Sequence, residues 1–317
     1  MPSQEEEFNK ESAFNNTNAK PMNTQDALQD SLKFINAGKS IILYGPPGTG
    51  KTKLAYDIIS HLKKDGRLGK FQSVQFHHKF TYEDFIEGYA PNSSGGFDKK
   101  DGIFKTFIAK PSEENKLDVF LIDEINRADL TTTFGELLFL MEDRETRSVK
   151  TSHFGDELKL PKNTIIIGTM NTADKSIANL DFALRRRFTF ISLYPDYEAI
   201  SWLLNERGVS GFNIDQYVTS IKIINGRIAN NRLMGKHMEL GDALWVPSGN
   251  SAVSVSDIKD IFIHSVIPQV EAYCGYGFED QLSLIFNPNI AQLYLNQKHI
   301  QDDDIRGLIE DLNTKSQ

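Results

Sequence analysis

Apolar positions along this chain follow two different spacings. Up to about residue 195, short apolar runs typical of buried strands alternate with segments whose apolar residues lie three and four positions apart, as in amphipathic helices. The strand-like runs are SIILY, SVQFH, LDVFLID, TIIIG and FTFISLY. This alternation predicts an α/β fold in which helices cover both faces of a parallel sheet. Two polar stretches, residues 92–101 and 148–157, interrupt the pattern and predict surface hairpins or loops.

The strand pattern stops after Pro195, and helical spacing continues beyond it. We therefore expect a sheet-containing core over residues 23–195 and a mostly helical domain over residues 196–317. Within the second domain, the run LMGKHMELGDALWVPSG predicts a short hairpin. Residues 1–22 are polar and acidic with few aliphatic side chains, so they predict a disordered tail.

A glycine-rich segment connects the first strand to the helix that follows it. It fits the pattern G-x-x-x-x-G-K-[ST] and consists of Gly45, Pro46, Pro47, Gly48, Thr49, Gly50, Lys51 and Thr52. Glycines let such a loop wrap closely around phosphate oxygens, and the start of the helix adds a positive dipole end. We expect Lys51 to bind the β and γ phosphates of a nucleotide and the Thr52 hydroxyl to ligate Mg²⁺. The alternative is a glycine-rich turn with a surface lysine, but the flanking strand and helix favour the phosphate site.

Two adjacent carboxylates end the strand LDVFLID and supply the second half of this predicted site. Asp123 is placed to reach the Mg²⁺ ion, whereas Glu124 can orient the attacking water and accept its proton. An apolar strand that merely meets a loop at Asp-Glu is the alternative. The glycine-rich segment upstream makes the catalytic interpretation the stronger one.

Polar residues flank the last two strands of the predicted sheet. Asn171 leaves the strand TIIIG at its carboxyl end, where ligands bind in open α/β folds, and is a candidate sensor of the γ phosphate. A helix cap or an Asn turn is the other interpretation. Arg185, Arg186 and Arg187 precede FTFISLY. Such a run forms either a solvated surface or a group that reaches the γ phosphate of a neighbouring subunit.

Charge and composition restrict the remaining possibilities. A net charge of −8 and a pI near 5.5 argue against nucleic-acid binding through a broad basic face. The chain starts without the order of a secretory signal, and its apolar runs are too short to cross a bilayer, so we expect a cytoplasmic protein. The single cysteine, Cys274, allows no intrachain disulfide and predicts a packed core residue. Adjacent His77 and His78 point to opposite faces of a strand and so predict packing rather than a metal site.

Taken together, these motifs resemble the McrB family, the GTP-hydrolysing AAA+ motors of modification-dependent restriction systems. The resemblance covers most of residues 40–195, and IPQVEAY resembles the family's lid. Its motifs are VQFHHKFTYEDFIEGYAPN, KDGIFKTF, FLIDEINRADLTTTFGELLFLME and GTMNTADKSIANLDFALRRRFTFI, in the family's order. It implies an AAA+ P-loop NTPase fold with a five-stranded parallel sheet in the order 5-1-4-3-2, followed by a helical lid.

The resemblance also implies roles for individual residues. Gly45 to Thr52 would form Walker A, Asp123 and Glu124 Walker B, and Asn171 the sensor. Asp174 belongs to the same MNTAD signature, and Arg186 and Arg187, with Asp181 nearby, would complete the site of a neighbour. The family forms hexameric rings stimulated by a nuclease subunit, McrC, so we expect a ring with an McrC-like partner. DNA would be contacted indirectly or through the pore, and no membrane is involved.

This chain departs from the family pattern in two places. Lys175 stands where the family has arginine after MNTAD, which puts the coupling to a stimulating partner in doubt. Only about two dozen tail-like residues precede the core, where the family commonly carries a module that reads modified DNA. We therefore expect either another subunit that reads DNA or a motor fragment.

Two other functions fit the same core. One is an ATP-driven remodelling chaperone of the MoxR type, and the other is a nucleotide-gated scaffold without useful turnover. Intact Asp123, Glu124 and Asn171 argue against the scaffold. No Asn-Lys-x-Asp signature for guanine is present, so GTP is favoured over ATP by the resemblance alone.

Overall fold

The computed structural model describes residues 24–142, 147–173 and 182–314. The predicted tail over residues 1–22 and the predicted roles of Asp174, Lys175 and Asp181 therefore lie outside the described residues. The chain forms two compact units. The first contains the residues up to 44 and residues 51–192, and the second contains residues 45–50 and 193 onward.

Five parallel strands form the sheet of the first unit, and two hairpins accompany it. The strands are β1 (Ser40–Gly45), β2 (Leu68–Gln75), β3 (Glu87–Pro91), β4 (Phe97–Asp101), β5 (Leu117–Asp123), β6 (Val149–Lys150), β7 (Glu157–Leu158), β8 (Thr164–Asn171) and β9 (Phe188–Ser192). The sheet order is β2-β5-β8-β1-β9, with β5 paired in parallel with both β2 and β8, and β1 paired in parallel with β9. Counted over the five sheet strands this is 5-1-4-3-2, so the predicted fold is confirmed. All residues of β1 are buried, as its continuous apolar run requires.

The helices of the first unit are short except for the first two. They are α1 (Thr24–Asn36), α2 (Lys51–Lys64), α3 (Tyr82–Phe85), α4 (Ile103–Ile108), α5 (Leu130–Phe134), α6 (Leu137–Leu140) and α7 (Phe182–Arg185). The apolar residues of LTTTFGELLFLMED have helical spacing, but α5 ends at Gly135, whose φ of 47° is unfavourable for residues with a Cβ. The chain therefore changes direction between α5 and α6.

An ion-pair cluster joins the two hairpins, β3–β4 and β6–β7, which occupy the polar stretches predicted to be hairpins or loops. The Lys105 Nζ lies 2.7 Å from Glu87 and 2.8 Å from both Asp101 and Asp156. Glu87 is fully buried, and its other oxygen accepts hydrogen bonds from the backbone of the β6–β7 turn. Because the Lys105 ammonium group already occupies the space between these three carboxylates, we interpret the cluster as structural rather than as a metal site.

The second unit is mostly helical. Its helices are α8 (Tyr197–Arg207), α9 (Ile214–Ala229), α10 (Val255–Ile261), α11 (Ile267–Cys274), α12 (Phe278–Ile285), α13 (Pro288–Leu295) and α14 (Asp302–Thr314), with one parallel pair, β10 (Val209–Ser210) and β11 (Val253–Ser254). Cys274 is half-buried rather than a core residue. Among the described residues, no helix has the length and apolar character needed to cross a membrane.

The prediction of a short hairpin after Asn231 is wrong. Two 3-10 helices, Lys236–Met238 and Asp242–Leu244, take its place. The buried side chain of Asn225 bonds both backbone groups of Leu240, donating to its oxygen at 3.0 Å and accepting from its nitrogen at 2.8 Å. A side chain therefore satisfies the polar groups that a partner strand would otherwise satisfy.

Candidate active site

The glycine-rich loop between β1 and α2 has one defined conformation. Gly48 and Gly50 have φ values of 79° and 76°, where a Cβ would be strained, which explains the glycines of the motif. The Thr49 hydroxyl donates to the backbone oxygen of Pro46 at 2.9 Å and closes the loop. The backbone oxygens of Pro47 and Gly48 accept from the nitrogens of Gly241 and Ala243 at 3.2 and 3.1 Å. The segment 241–243 thus holds the loop from one side.

The predicted phosphate and metal ligands of the first unit lie at the start of α2. Lys51 is the first residue of this helix and is buried, with 7% of its surface exposed. The hydroxyl of Thr52 donates to Asp123 Oδ1 at 3.0 Å, although the two residues are 71 positions apart. Hydroxyl and carboxylate oxygens are the hard donors that Mg²⁺ takes from proteins, so Thr52 and Asp123 fit this ion.

Asp123 ends β5 and is held from the neighbouring strand as well. The Thr169 hydroxyl on β8 donates to the same Oδ1 atom at 2.5 Å. Thr169 Oγ1 also accepts from the backbone nitrogen of Glu124 at 3.2 Å. Thr169 therefore links the Asp123 carboxylate to the backbone of Glu124, a role that the sequence analysis did not assign to it.

Glu124 has an unusual backbone conformation. Its φ and ψ are 54° and 46°, in the left-handed region that a residue with a Cβ seldom occupies. Asn171 Nδ2 donates to Glu124 Oε1 at 2.6 Å. Arg127 Nε lies 3.3 Å from Glu124 Oε2. The structure therefore brings the predicted base and the predicted sensor into direct contact. It also places Arg127 beside the base, and the only sequence signal for this residue is its position three residues after Glu124.

The predicted arginines have different surroundings. Arg187 Nε donates to the Leu138 backbone oxygen, and its Nη2 lies 2.7 Å from Glu142 Oε1, so this side chain is engaged within the first unit. Arg186 is exposed. Of the two, Arg186 is the more exposed side chain. His77 Nδ1 accepts from the backbone nitrogen of Lys79 at 3.2 Å, and its ring packs edge-on against Phe80.

Two carboxylates of the second unit have raised pKa values. Burial raises the pKa of Asp242 to about 7 and that of Glu239 to about 7. Asp242 Oδ1 accepts from the backbone nitrogen of Asp196, the cap of α8, at 2.7 Å. Asp242 therefore connects the segment that holds the glycine-rich loop to the start of α8. No sequence pattern indicates this role, because it depends on a contact between distant positions.

Comparison with characterised proteins agrees with this geometry. Residues 40–188 match the family model of the AAA domain, dynein-related subfamily. The chain is 36% identical to the Type IV methyl-directed restriction enzyme EcoKMcrB subunit of Escherichia coli (strain K12), over 78% of this chain and 57% of that protein. It is 27% identical to the Type II restriction enzyme BsuMI component YdiS of Bacillus subtilis (strain 168), over 64% of this chain and 73% of that protein. The chain thus spans a little over half the length of the Escherichia coli relative.

Proposed function

Because this chain carries an AAA+ core of the McrB type, we propose that it hydrolyses a Mg²⁺-bound nucleoside triphosphate within a ring-forming motor of a restriction system. GTP is the favoured substrate because of the similarity to the McrB subunit, and ATP is the alternative. The observation that carries the proposal is the hydrogen-bonded set at the ends of β5 and β8. There Thr52 bonds Asp123, and Asn171 bonds Glu124.

Lys51 and the residues of this hydrogen-bonded set each have a task in phosphoryl transfer. Lys51 supplies positive charge to the β and γ phosphates. Thr52 and Asp123 would hold Mg²⁺, which neutralises charge on the phosphate oxygens when bound. Glu124 orients the attacking water and accepts its proton, and Asn171 keeps the Glu124 carboxylate in place.

A ring would complete the site. Arg186 is exposed, whereas Arg187 is engaged with Glu142, so Arg186 is the residue we assign to the nucleotide of a neighbouring subunit. An arginine supplied in this way contributes roughly 10³ to 10⁵ in rate. Hydrolysis then depends on assembly. The similarity to two restriction-enzyme components supports a nuclease subunit as the partner that uses this hydrolysis.

The test is steady-state phosphate release from GTP and from ATP at matched Mg²⁺ concentration. Lys51→Ala should abolish hydrolysis and weaken nucleotide binding, whereas Glu124→Gln should abolish hydrolysis and leave binding intact. Lys53→Ala is the matched control, because this neighbouring lysine is exposed and pairs with Asp57 on the helix surface. Full activity in Lys51→Ala would contradict the proposed site.

A further inference from the structure

We propose that Arg127 is a positioning residue for hydrolysis, because it fixes the Glu124 carboxylate so that Oε1 faces the attacking water. The inference rests on the proposed function of Glu124 as the base. It starts from the contact between Arg127 Nε and Glu124 Oε2 at 3.3 Å.

The local backbone brings these two side chains together. Glu124 precedes the short 3-10 turn Ile125–Arg127, and the Arg127 backbone nitrogen donates to the Glu124 backbone oxygen at 2.9 Å, which keeps the two residues close together. The left-handed conformation of Glu124 starts this turn directly after β5. Strain of this kind persists where the surroundings enforce it. Here the enforcing contacts are the bonds from Glu124 to Thr169 and Asn171.

The two oxygens of the carboxylate have different environments. Oε1 accepts one hydrogen bond, from Asn171, and a carboxylate oxygen has capacity for a second. Oε2 is closed off from solvent and accepts no hydrogen bond from the described residues. A buried carboxylate oxygen without a donor is costly unless a cation compensates it, and the Arg127 guanidinium is the cation beside it. Oε1 is therefore the oxygen left for the water.

An ordinary surface ion pair would not have this effect. Exposed pairs contribute little to stability because water and salt screen them, and they leave both side chains free to move. Arg306 and Asp303 form such a pair at the same three-residue spacing, with 44% and 89% of their side chains exposed. In the pair of Arg127 and Glu124, the arginine is similarly exposed at 40%, but the glutamate is only 16% exposed. Arg306 is thus a matched control for Arg127.

The experiment compares Arg127→Gln, Arg127→Lys and Arg306→Gln with the wild type in steady-state hydrolysis, nucleotide binding and thermal unfolding. Loss of a positioning contact displaces a reacting group, and a displacement of about 1 Å costs on the order of 100-fold in rate. We expect Arg127→Gln to lower kcat about 10- to 100-fold at unchanged KM and nucleotide affinity, with the protein still folded at the assay temperature. Arg127→Lys should recover part of the loss because it keeps the charge, and Arg306→Gln should behave as the wild type.

A double variant decides whether Arg127 acts through Glu124. In single-turnover assays, Glu124→Gln with and without Arg127→Gln should hydrolyse at the same rate, since residues that act as a unit are not additive. Wild-type kcat in Arg127→Gln, a further loss in the double variant, or a loss explained by a lower Tm would overturn the inference. Any of these three results, together with an active wild type and an inactive Glu124→Gln variant, would contradict the role of Arg127 but not the proposed function. A wild type inactive with both nucleotides would overturn both.

Discussion

The close approach of Gly241 to the glycine-rich loop allows us to predict how strongly a substitution at this position weakens nucleotide binding. A Cβ at this position would lie 2.2 Å from the carbonyl carbon of Gly48 and 2.5 Å from the backbone oxygens of Gly48 and Pro47. Non-bonded heavy atoms normally lie about 3.5–4.0 Å apart, so Gly241→Ala must separate the two segments by more than about 1 Å. The φ of −73° is allowed for alanine, and space is therefore the obstacle.

We expect this displacement to weaken nucleotide binding. Overpacking of this kind costs about 1–3 kcal/mol, which corresponds to roughly a 5- to 150-fold rise in Kd if the loop absorbs the cost. The assay is titration with a fluorescent nucleotide analogue in the presence of Mg²⁺, with Tm measured in parallel. Gly226→Ala is the control, because Gly226 lies in α9 with no atom within 4 Å of the added methyl, and alanine favours a helix. Wild-type affinity and Tm in Gly241→Ala would refute this reasoning.

Two further predictions concern the neighbouring subunit and pH. Arg186→Ala and Glu124→Gln should each be nearly inactive alone. Mixing the two variants should restore hydrolysis, because a Glu124→Gln subunit supplies Arg186 to the site of an Arg186→Ala neighbour, in which Glu124 is intact. Mixed rings that show no recovery would contradict the assignment of Arg186 to the neighbour's site. Asp242 has a pKa raised to about 7, so the folded chain binds more protons than the unfolded one between the ordinary value of 3.8 and about 7. Its contribution to the free energy of unfolding should therefore fall as pH rises through that window, by at most about 1.4 kcal/mol per pH unit, and level off above it. In urea unfolding at several pH values, the free energy of unfolding of Asp242→Asn should rise relative to that of the wild type from pH 5 to 7. A difference between the two proteins that does not change with pH would contradict the raised pKa.

The parts of the structure that local sequence determines were predictable. The apolar strand runs and the helical runs between them predict a parallel α/β sheet, and the resemblance supplies the order observed. Asp123, Glu124 and Asn171 each lie at the carboxyl end of a strand, so their meeting at one sheet edge follows from the fold.

The remaining features depend on contacts between distant positions or on single backbone angles. The left-handed backbone conformation of Glu124 brings its carboxylate next to Arg127, and no sequence pattern predicts that conformation. Gly135 divides a run with good helical periodicity because of one positive φ value. Asn225 replaces an expected hairpin by bonding the backbone of Leu240. Arg186 and Arg187 are equivalent in the sequence pattern, yet of the two only Arg187 pairs with Glu142 among the described contacts.

The most direct measurement is a structure of the assembled protein with Mg²⁺ and a non-hydrolysable GTP or ATP analogue. We expect the triphosphate to lie along residues 45–52, with the metal on Thr52 and Asp123 and a water near Glu124 Oε1. A nucleotide bound elsewhere, with residues 45–52 away from any phosphate, would contradict this assignment.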